Sequence, residues 1–179
     1  MATRTLLTID DFERLPDEVA KNKELVDGEL VDVSGNTPRH NLVREYLIAA
    51  LYPQVRQKGL GTVISEQEYD FQDNAHGPDV SFFGPSKRPL LDLDKRVQRF
   101  VPDLAIEIAS PNDTYLGMHR KKDRYLSAGT QEVWLISAEA REIVVYTQNA
   151  VRAYRAPDVI ATSLLPGITI SLAELFREL

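Results

Sequence analysis

Glu107 stands inside the run "LAIEIA", where its neighbours are apolar. Burying a carboxylate strips its hydration, so Glu107 needs either a face open to water or a positive partner. Two Pro-Asp dipeptides bear on which it has. Pro102-Asp103 opens the run that carries Glu107, and Pro78-Asp79 opens "PDVSFFG". Proline tolerates only the first or an edge position of a strand, so both pairs mark strand starts. Asp79 then sits at the beginning of one strand and Glu107 well inside the other. If the two strands are neighbours and antiparallel or bent, the carboxylates can converge. Paired acidic oxygens, a main-chain carbonyl and water make a typical Mg²⁺ site, since that hard ion prefers oxygen and keeps part of its hydration shell. Such a cation is one partner for Glu107, and a buried lysine or arginine is the other.

The lysine has candidates. In "NDTYLGMHRKKDRYLSAG", Met118, Lys121, Lys122 and Tyr125 fall at i, i+3, i+4 and i+7 and share one helical face. Methionine and tyrosine turn that face toward a sheet, so one of the two lysines would reach inward to the level of Glu107. An ammonium there neutralises a carboxylate or stabilises a phosphate oxyanion. Lys121, four residues before Tyr125, is the first choice and Lys122 a close second. His119, Arg120 and Arg124 around them offer phosphate contacts that position a backbone without reading bases.

These groups need elements to hold them. Thr8 is placed to cap a short helix carrying Ile9, Phe12 and Leu15, closed by Pro16. Asp27-Gly28 between alternating runs is a strong hairpin signal and pairs residues 24–26 with 29–33. A helix over residues 40–57 follows, with Leu42, Val43, Tyr46, Leu47, Ala50 and Leu51 on its apolar face. "TVISEQEYDFQ" and "PDVSFFG" read as strands divided by the turn-rich "DNAHG", and residues 85–99 as a charged surface excursion. The apolar "FVPDLAIEIAS" predicts a central strand covered on both faces. The lysine helix ends at Gly129, and "EVWLIS" is the next central strand. "EIVVYTQNAVRAYRAP" gives a second hairpin, and "SLAELFREL" a terminal helix with Ser171 and Glu174 as a capping box. The order predicts a mixed α/β domain around one sheet, without internal repeats.

The chain of 179 residues suits one domain, residues 1–179, that buries roughly 70% of its unfolded surface. It has no cysteine, which excludes disulfides and thiolate metal sites and leaves oxygen or imidazole as metal donors. A formal charge of −6 argues against a generally basic nucleic-acid coat, though it says little about one cleft. No apolar stretch approaches membrane length and the opening residues lack a signal-peptide core, so a soluble cytoplasmic protein is expected.

The ordered series "ELVDGELV", His40, "PDVSFF", "PDLAIEIASPND", a helical lysine four before tyrosine, then "YLSAGTQEVWLIS" resembles the Uma-two family of endonucleases, within the PD-(D/E)XK restriction endonuclease-like superfamily. The resemblance covers about residues 20–147, with a C-terminal hairpin and helix over 142–179. It implies an α/β, restriction endonuclease-like core, a mixed central β-sheet flanked by helices, and Mg²⁺- or Mn²⁺-dependent hydrolysis of nucleic-acid phosphodiester bonds, DNA in the first instance. On this resemblance Asp79 and Glu107 are the metal-binding acids, joined by the Ile108 carbonyl. Glu24 is the acid of the first strand, completing the metal shell or anchoring a second ion. Lys121 orients the attacking water or stabilises the transition state, with Tyr125 orienting the lysine, and Lys122 and His40 in support. A homodimer is the expected assembly, since two sites would then act on two strands. One position departs from the superfamily pattern: its lysine lies two residues after the second acid, where this chain has Ala109. The family likeness moves the lysine to the helix.

Each residue also has a plainer role. Glu24 could form a surface ion pair on the hairpin, Asp79 a turn after proline, and Lys121 a solvated helix charge. His40 fits a helix start facing solvent, His76 a loop, and Tyr125 and Trp134 the core. The rival to an enzyme is a catalytically silent module of the same fold that binds nucleic acid or a protein. A third possibility is a structural subunit in which Glu107 and Lys121 form only a buried pair.

Overall fold

The computed structural model describes residues 6–33 and 35–179. Two short helices open it, α1 (Ile9–Glu13) and α2 (Asp17–Ala20). Thr8 and Asp11 cap each other reciprocally and start α1 at the residue the sequence indicates. β1 (Lys23–Val26) and β2 (Glu29–Asp32) form the hairpin, turning on Asp27 and Gly28 at φ of 51° and 79°. Both central residues of this tight turn need positive φ, the reason Asp-Gly serves there.

α3 (Pro38–Gln57) follows, capped by Thr37. Then come β3 (Thr62–Ser65), β4 (Glu68–Asp70), β5 (Ala75–His76) and β6 (Val80–Phe83). A 3₁₀ turn over Pro85–Leu90 leads to β7 (Val97–Gln98), β8 (Leu104–Ile108) and α4 (Tyr115–Ala128). Thr114 caps the start of α4, and Gly129 ends it in the left-handed region at φ 109°. The chain closes with β9 (Glu132–Ser137), β10 (Glu142–Thr147), β11 (Val151–Arg155), β12 (Val159–Ala161), β13 (Thr169–Ser171) and α5 (Leu172–Leu175). Among the described residues no helix is long and apolar enough to cross a membrane.

The strands form three sheets, where the sequence pointed to one. The six-stranded sheet has the order β11-β10-β9-β8-β6-β3, the five-stranded one β2-β1-β5-β4-β7, and β12 pairs with β13. The expected strand "TVISEQEYDFQ" is split between two of them. Glu66 adopts φ 53° and its N–H donates to the Asp79 carbonyl, so β3 stays in the large sheet while β4 crosses to the other. The region read as a surface excursion also contributes β7, which pairs with β4 and is buried. The terminal helix is shorter than its sequence pattern, four residues, though Ser171 accepts from the Glu174 N–H as expected.

β8 lies between β6 and β9, antiparallel to the first and parallel to the second. All five of its residues are buried. Strand alternation sends Leu104, Ile106 and Ile108 into the core shared with α3, while Ala105 packs in the cluster that holds Tyr125 of α4. Glu107 therefore shares the face of Ala105. On α3 the buried residues are His40, Val43, Leu47, Leu51 and Val55. Leu42, placed on the apolar face by periodicity, is 45% exposed, because the buried stripe runs along 43, 47, 51 and 55.

This arrangement predicts unequal core losses. Ile106→Ala should cost about 2–5 kcal/mol in urea unfolding, whereas Leu42→Ala should stay within about 0.5 kcal/mol. Similar losses at both positions would contradict the burial of one and exposure of the other.

Candidate active site

The register of β6 and β8 sets the first pair. Val80 lies opposite Ile106, so one step outward brings Asp79 opposite Glu107. The Asp79 carboxylate is held at both oxygens: Oδ2 accepts from the Ile108 N–H at 2.7 Å, and Oδ1 lies 3.0 Å from His40 Nε2. His40 is buried at the start of α3, not turned to solvent as its position suggested. Its other ring nitrogen, Nδ1, is buried with no hydrogen-bond partner among the described residues.

Glu107 is 8% exposed and meets two side chains of α4. Tyr125 donates its hydroxyl to Oε1 at 2.5 Å, and Lys121 Nζ lies 3.4 Å from both carboxylate oxygens. Lys121 is nearer to Glu24, at 2.8 Å from Oε1. Glu24 in turn receives His76 Nδ1 on Oε2 at 2.9 Å. Lys121 is thus the lysine that reaches inward. Lys122 instead lies over the Tyr146 ring, 4.9 Å from its centre, and pairs with Asp123. Tyr125 touches Glu107, so the tyrosine orients the acid and not the lysine as expected. Glu24 is buried, which removes its reading as a surface ion pair.

Burial drives Glu107 toward its neutral form. Lys121 opposes that, but the nearby Asp79 and Glu24 carboxylates reinforce it, and the group is pushed up to about 7. Glu24 is also buried, yet Lys121 and the His76 hydrogen bond outweigh burial and hold it at about 2. Burial disfavours the Lys121 ammonium, but Glu107 and Glu24 more than compensate, so it stays charged well above neutral pH. Tyr125 is held neutral by burial and by the same carboxylates, which keeps its hydroxyl a donor.

These groups border two adjacent hollows. A cleft of about 480 Å³ exposes Glu24, Glu107, Lys121, Arg120, Arg124 and His76. A smaller one of about 230 Å³ exposes Asp79 with Glu24 and Glu68. Among the described residues no group of three or more His, Asp or Glu is arranged to hold a metal. The available donors are carboxylate oxygens beside the residue 108 backbone, in a pocket with surplus negative charge. That chemistry fits a hard ion held by one or two carboxylates and water, the usual manner of Mg²⁺.

Sequence reasoning missed His76. The turn-rich "DNAHG" marked it as a loop, but it forms β5, is 3% exposed and contacts Glu24. Its one signal was proximity, three residues before Asp79. Arg124 was read as a phosphate contact, and it is occupied by Asp27 and His76. His119 stacks on Tyr115, with ring centres 4.1 Å apart.

The chain matches the Uma2 family, described as "Putative restriction endonuclease", over residues 9–178. Among solved structures it resembles a putative nuclease belonging to DUF820 from Anabaena variabilis, with a TM-score of 0.83 and 25% identity. The likeness covers 96% of this chain and 98% of that one. No curated protein matches the chain significantly. The mixed α/β, restriction endonuclease-like fold expected from the resemblance is the fold observed.

The charge pattern makes stability depend on pH. Folded Glu107 binds its proton more tightly than the unfolded chain, whose ordinary value is 4.5, so it removes stability as pH rises from there to about 7. Glu24 acts oppositely: its contribution is full above 4.5 and is lost as pH falls to about 2. In the presence of a chelator, Glu107→Gln should therefore gain on the wild type by on the order of 1–3 kcal/mol between pH 5 and pH 8. Urea unfolding at the two pH values measures it, and a gap that does not change would remove the surplus charge at Glu107.

Proposed function

This chain belongs to the Uma2 family, described as "Putative restriction endonuclease", and we propose that it is a metal-dependent endonuclease hydrolysing phosphodiester bonds of nucleic acid, DNA in the first instance. The observation that carries the reading is the meeting of Asp79 and Glu107 across β6 and β8 beside a charged lysine from α4. Asp79, Glu107 and the Ile108 carbonyl are the proposed donors to Mg²⁺ or Mn²⁺, with Glu24 close by. A bound ion of this kind supplies charge neutralisation at the phosphate and acidifies water.

The chain's own groups do the rest. The Ile108 N–H and His40 fix the Asp79 carboxylate from two directions. Tyr125 fixes Glu107. Lys121 keeps its proton beside Glu107 and Glu24, so its proposed role is electrostatic: the ammonium stabilises charge on the phosphate oxygens and orients water. Glu24 holds that ammonium at the cleft wall. Burial in a low-dielectric pocket strengthens each of these interactions relative to water.

One observation favours the rival reading. Lys121 already contacts both Glu24 and Glu107 and so balances part of their charge without any metal. A silent module would bind nucleic acid indifferently to Mg²⁺ and without turnover.

Calorimetry with Mn²⁺, beside a nuclease assay on the same samples, separates the two. Asp79→Asn and Glu107→Gln should lose both binding and cleavage. Lys121→Ala should keep the metal and lose cleavage by about 10²–10³-fold. A folded wild type that neither binds Mn²⁺ nor cleaves would overturn the enzyme reading. The contacts of Lys121 with Glu107 and Glu24 would then be structural, and replacing Lys121 alone would destabilise the fold by leaving buried carboxylates unpaired.

A further inference from the structure

We propose that His76 is a positioning residue: clamped in one tautomer by Arg124, it fixes the Glu24 carboxylate and thereby draws the Lys121 ammonium away from Glu107. The inference rests on the reading of Lys121 and Glu107 as working groups of the site, and it adds two residues, His76 and Arg124, to them.

The tautomer follows from the contacts. Arg124 Nη1 lies 3.2 Å from His76 Nε2. A guanidinium has donors and no acceptor, so Nε2 must be the accepting nitrogen. The single ring proton of neutral imidazole is then on Nδ1, where it is donated to Glu24 Oε2 at 2.9 Å. The ring has little room to turn. His76 is 3% exposed and packs beside the stacked pair of Phe71 and Tyr125, at centroid distances of 6.1 and 5.7 Å.

Arg124 is fixed in its turn. Its Nη2 donates to both carboxylate oxygens of Asp27, at 3.0 and 3.1 Å. Asp27 stands at the β1–β2 turn, and its own N–H donates to Asn74 Oδ1 at 2.7 Å. A run of polar contacts thus leads from the hairpin turn through Arg124 and His76 to Glu24, and on to Lys121. Partners standing behind the working groups in this way fix their orientation.

The consequence lies in how Lys121 is shared. It is 2.8 Å from Glu24 and 3.4 Å from Glu107. With one Glu24 oxygen pinned by His76, the other is presented to the lysine. Released from His76, Glu24 keeps only the long contact of its Oε1 with the Gly77 N–H at 3.4 Å and can rotate, and the ammonium loses its nearer partner. Glu107 is the acid left to receive it. A lysine drawn onto Glu107 would occupy the oxygens the proposed cation needs.

Three measurements test this on the full chain. Nitrogen-15 spectra of the histidine-labelled wild type should show His76 protonated at Nδ1 and bare at Nε2. Amine acetylation followed by mass spectrometry should modify Lys121 at a different rate in His76→Phe, which fills the ring volume without a donor and changes the lysine's partner. His76→Asn, whose amide can donate from the same place, should restore the wild-type rate. Mn²⁺ affinity should fall by about 10–100-fold in His76→Phe, and adding that change to Glu24→Gln should have little further effect. Thermal melts confirm that each variant is folded.

A His76 protonated at Nε2 would overturn the proposal. So would equal Lys121 modification in folded wild type, Phe and Asn variants. The spectra and the acetylation need no turnover, so they decide the role of His76 even if the wild type cleaves nothing.

Discussion

Glu107 is buried near two other acids, Glu24 and Asp79, and its charge is tolerated through the side chains that α4 delivers to it. Three carboxylates in a low-dielectric pocket repel, and one lysine cannot satisfy them all. The molecule resolves this unevenly. Glu24 takes the closer contact with Lys121 and a histidine donor, and stays ionised; Glu107 receives the more distant ammonium and a tyrosine hydroxyl, and is pushed toward neutrality. A structural ion pair has no need of the third acid. The surplus is the feature on which the proposed cation rests, since a balanced pair would leave it nothing to offset.

The fold serves that constraint through alternation and register. β8 places Leu104, Ile106 and Ile108 toward α3 and turns Ala105 and Glu107 to the side of α4, so one strand supplies both core and chemistry. Its antiparallel pairing with β6 brings Asp79 opposite, and the Ile108 N–H holds the Asp79 carboxylate at the end of the ladder. Glu24 comes from the five-stranded sheet, as does His76. The site is therefore a seam between two sheets closed by one helix, and its geometry depends on their packing as well as on either sheet alone.

What the sequence disclosed follows from how local each signal is. Pro78-Asp79 and Pro102-Asp103 stand just before β6 and β8, Asp27-Gly28 marks a turn, and Thr8 and Gly129 fix helix ends, because each acts within a few residues of chain. The interval from Lys121 to Tyr125 put both on one face for the same reason. Pairing is not local. Nothing in "TVISEQEYDFQ" announces that Glu66 breaks the run and sends its halves to different sheets, and nothing in "DNAHG" announces a buried histidine on the strand that pairs with β1 and its Glu24. Leu42 failed for a subtler reason: both 42 and 43 fit an apolar stripe, and only the packed sheet decides which stripe is covered.

The helical lysine that the resemblance implies fits the same geometry. In the superfamily pattern the lysine stands at the position held here by Ala109, two residues after Glu107. The Ala109 N–H donates to the Ile136 carbonyl, so the strand pairing continues past Ile108, and alternation puts residue 109 on the face of Glu107. A lysine at 109 and a lysine at 121 would approach the acids from one side of the sheet, the first along the strand and the second from the helix above it. The change moves the stem of the side chain and leaves the ammonium a place beside the carboxylates. It also changes what holds the ammonium: a helix lysine is fixed only as well as α4 is fixed, and α4 is tied to the hairpin by Arg124 and Asp27. Moving the charge from strand to helix makes the hairpin contacts part of the site's precision.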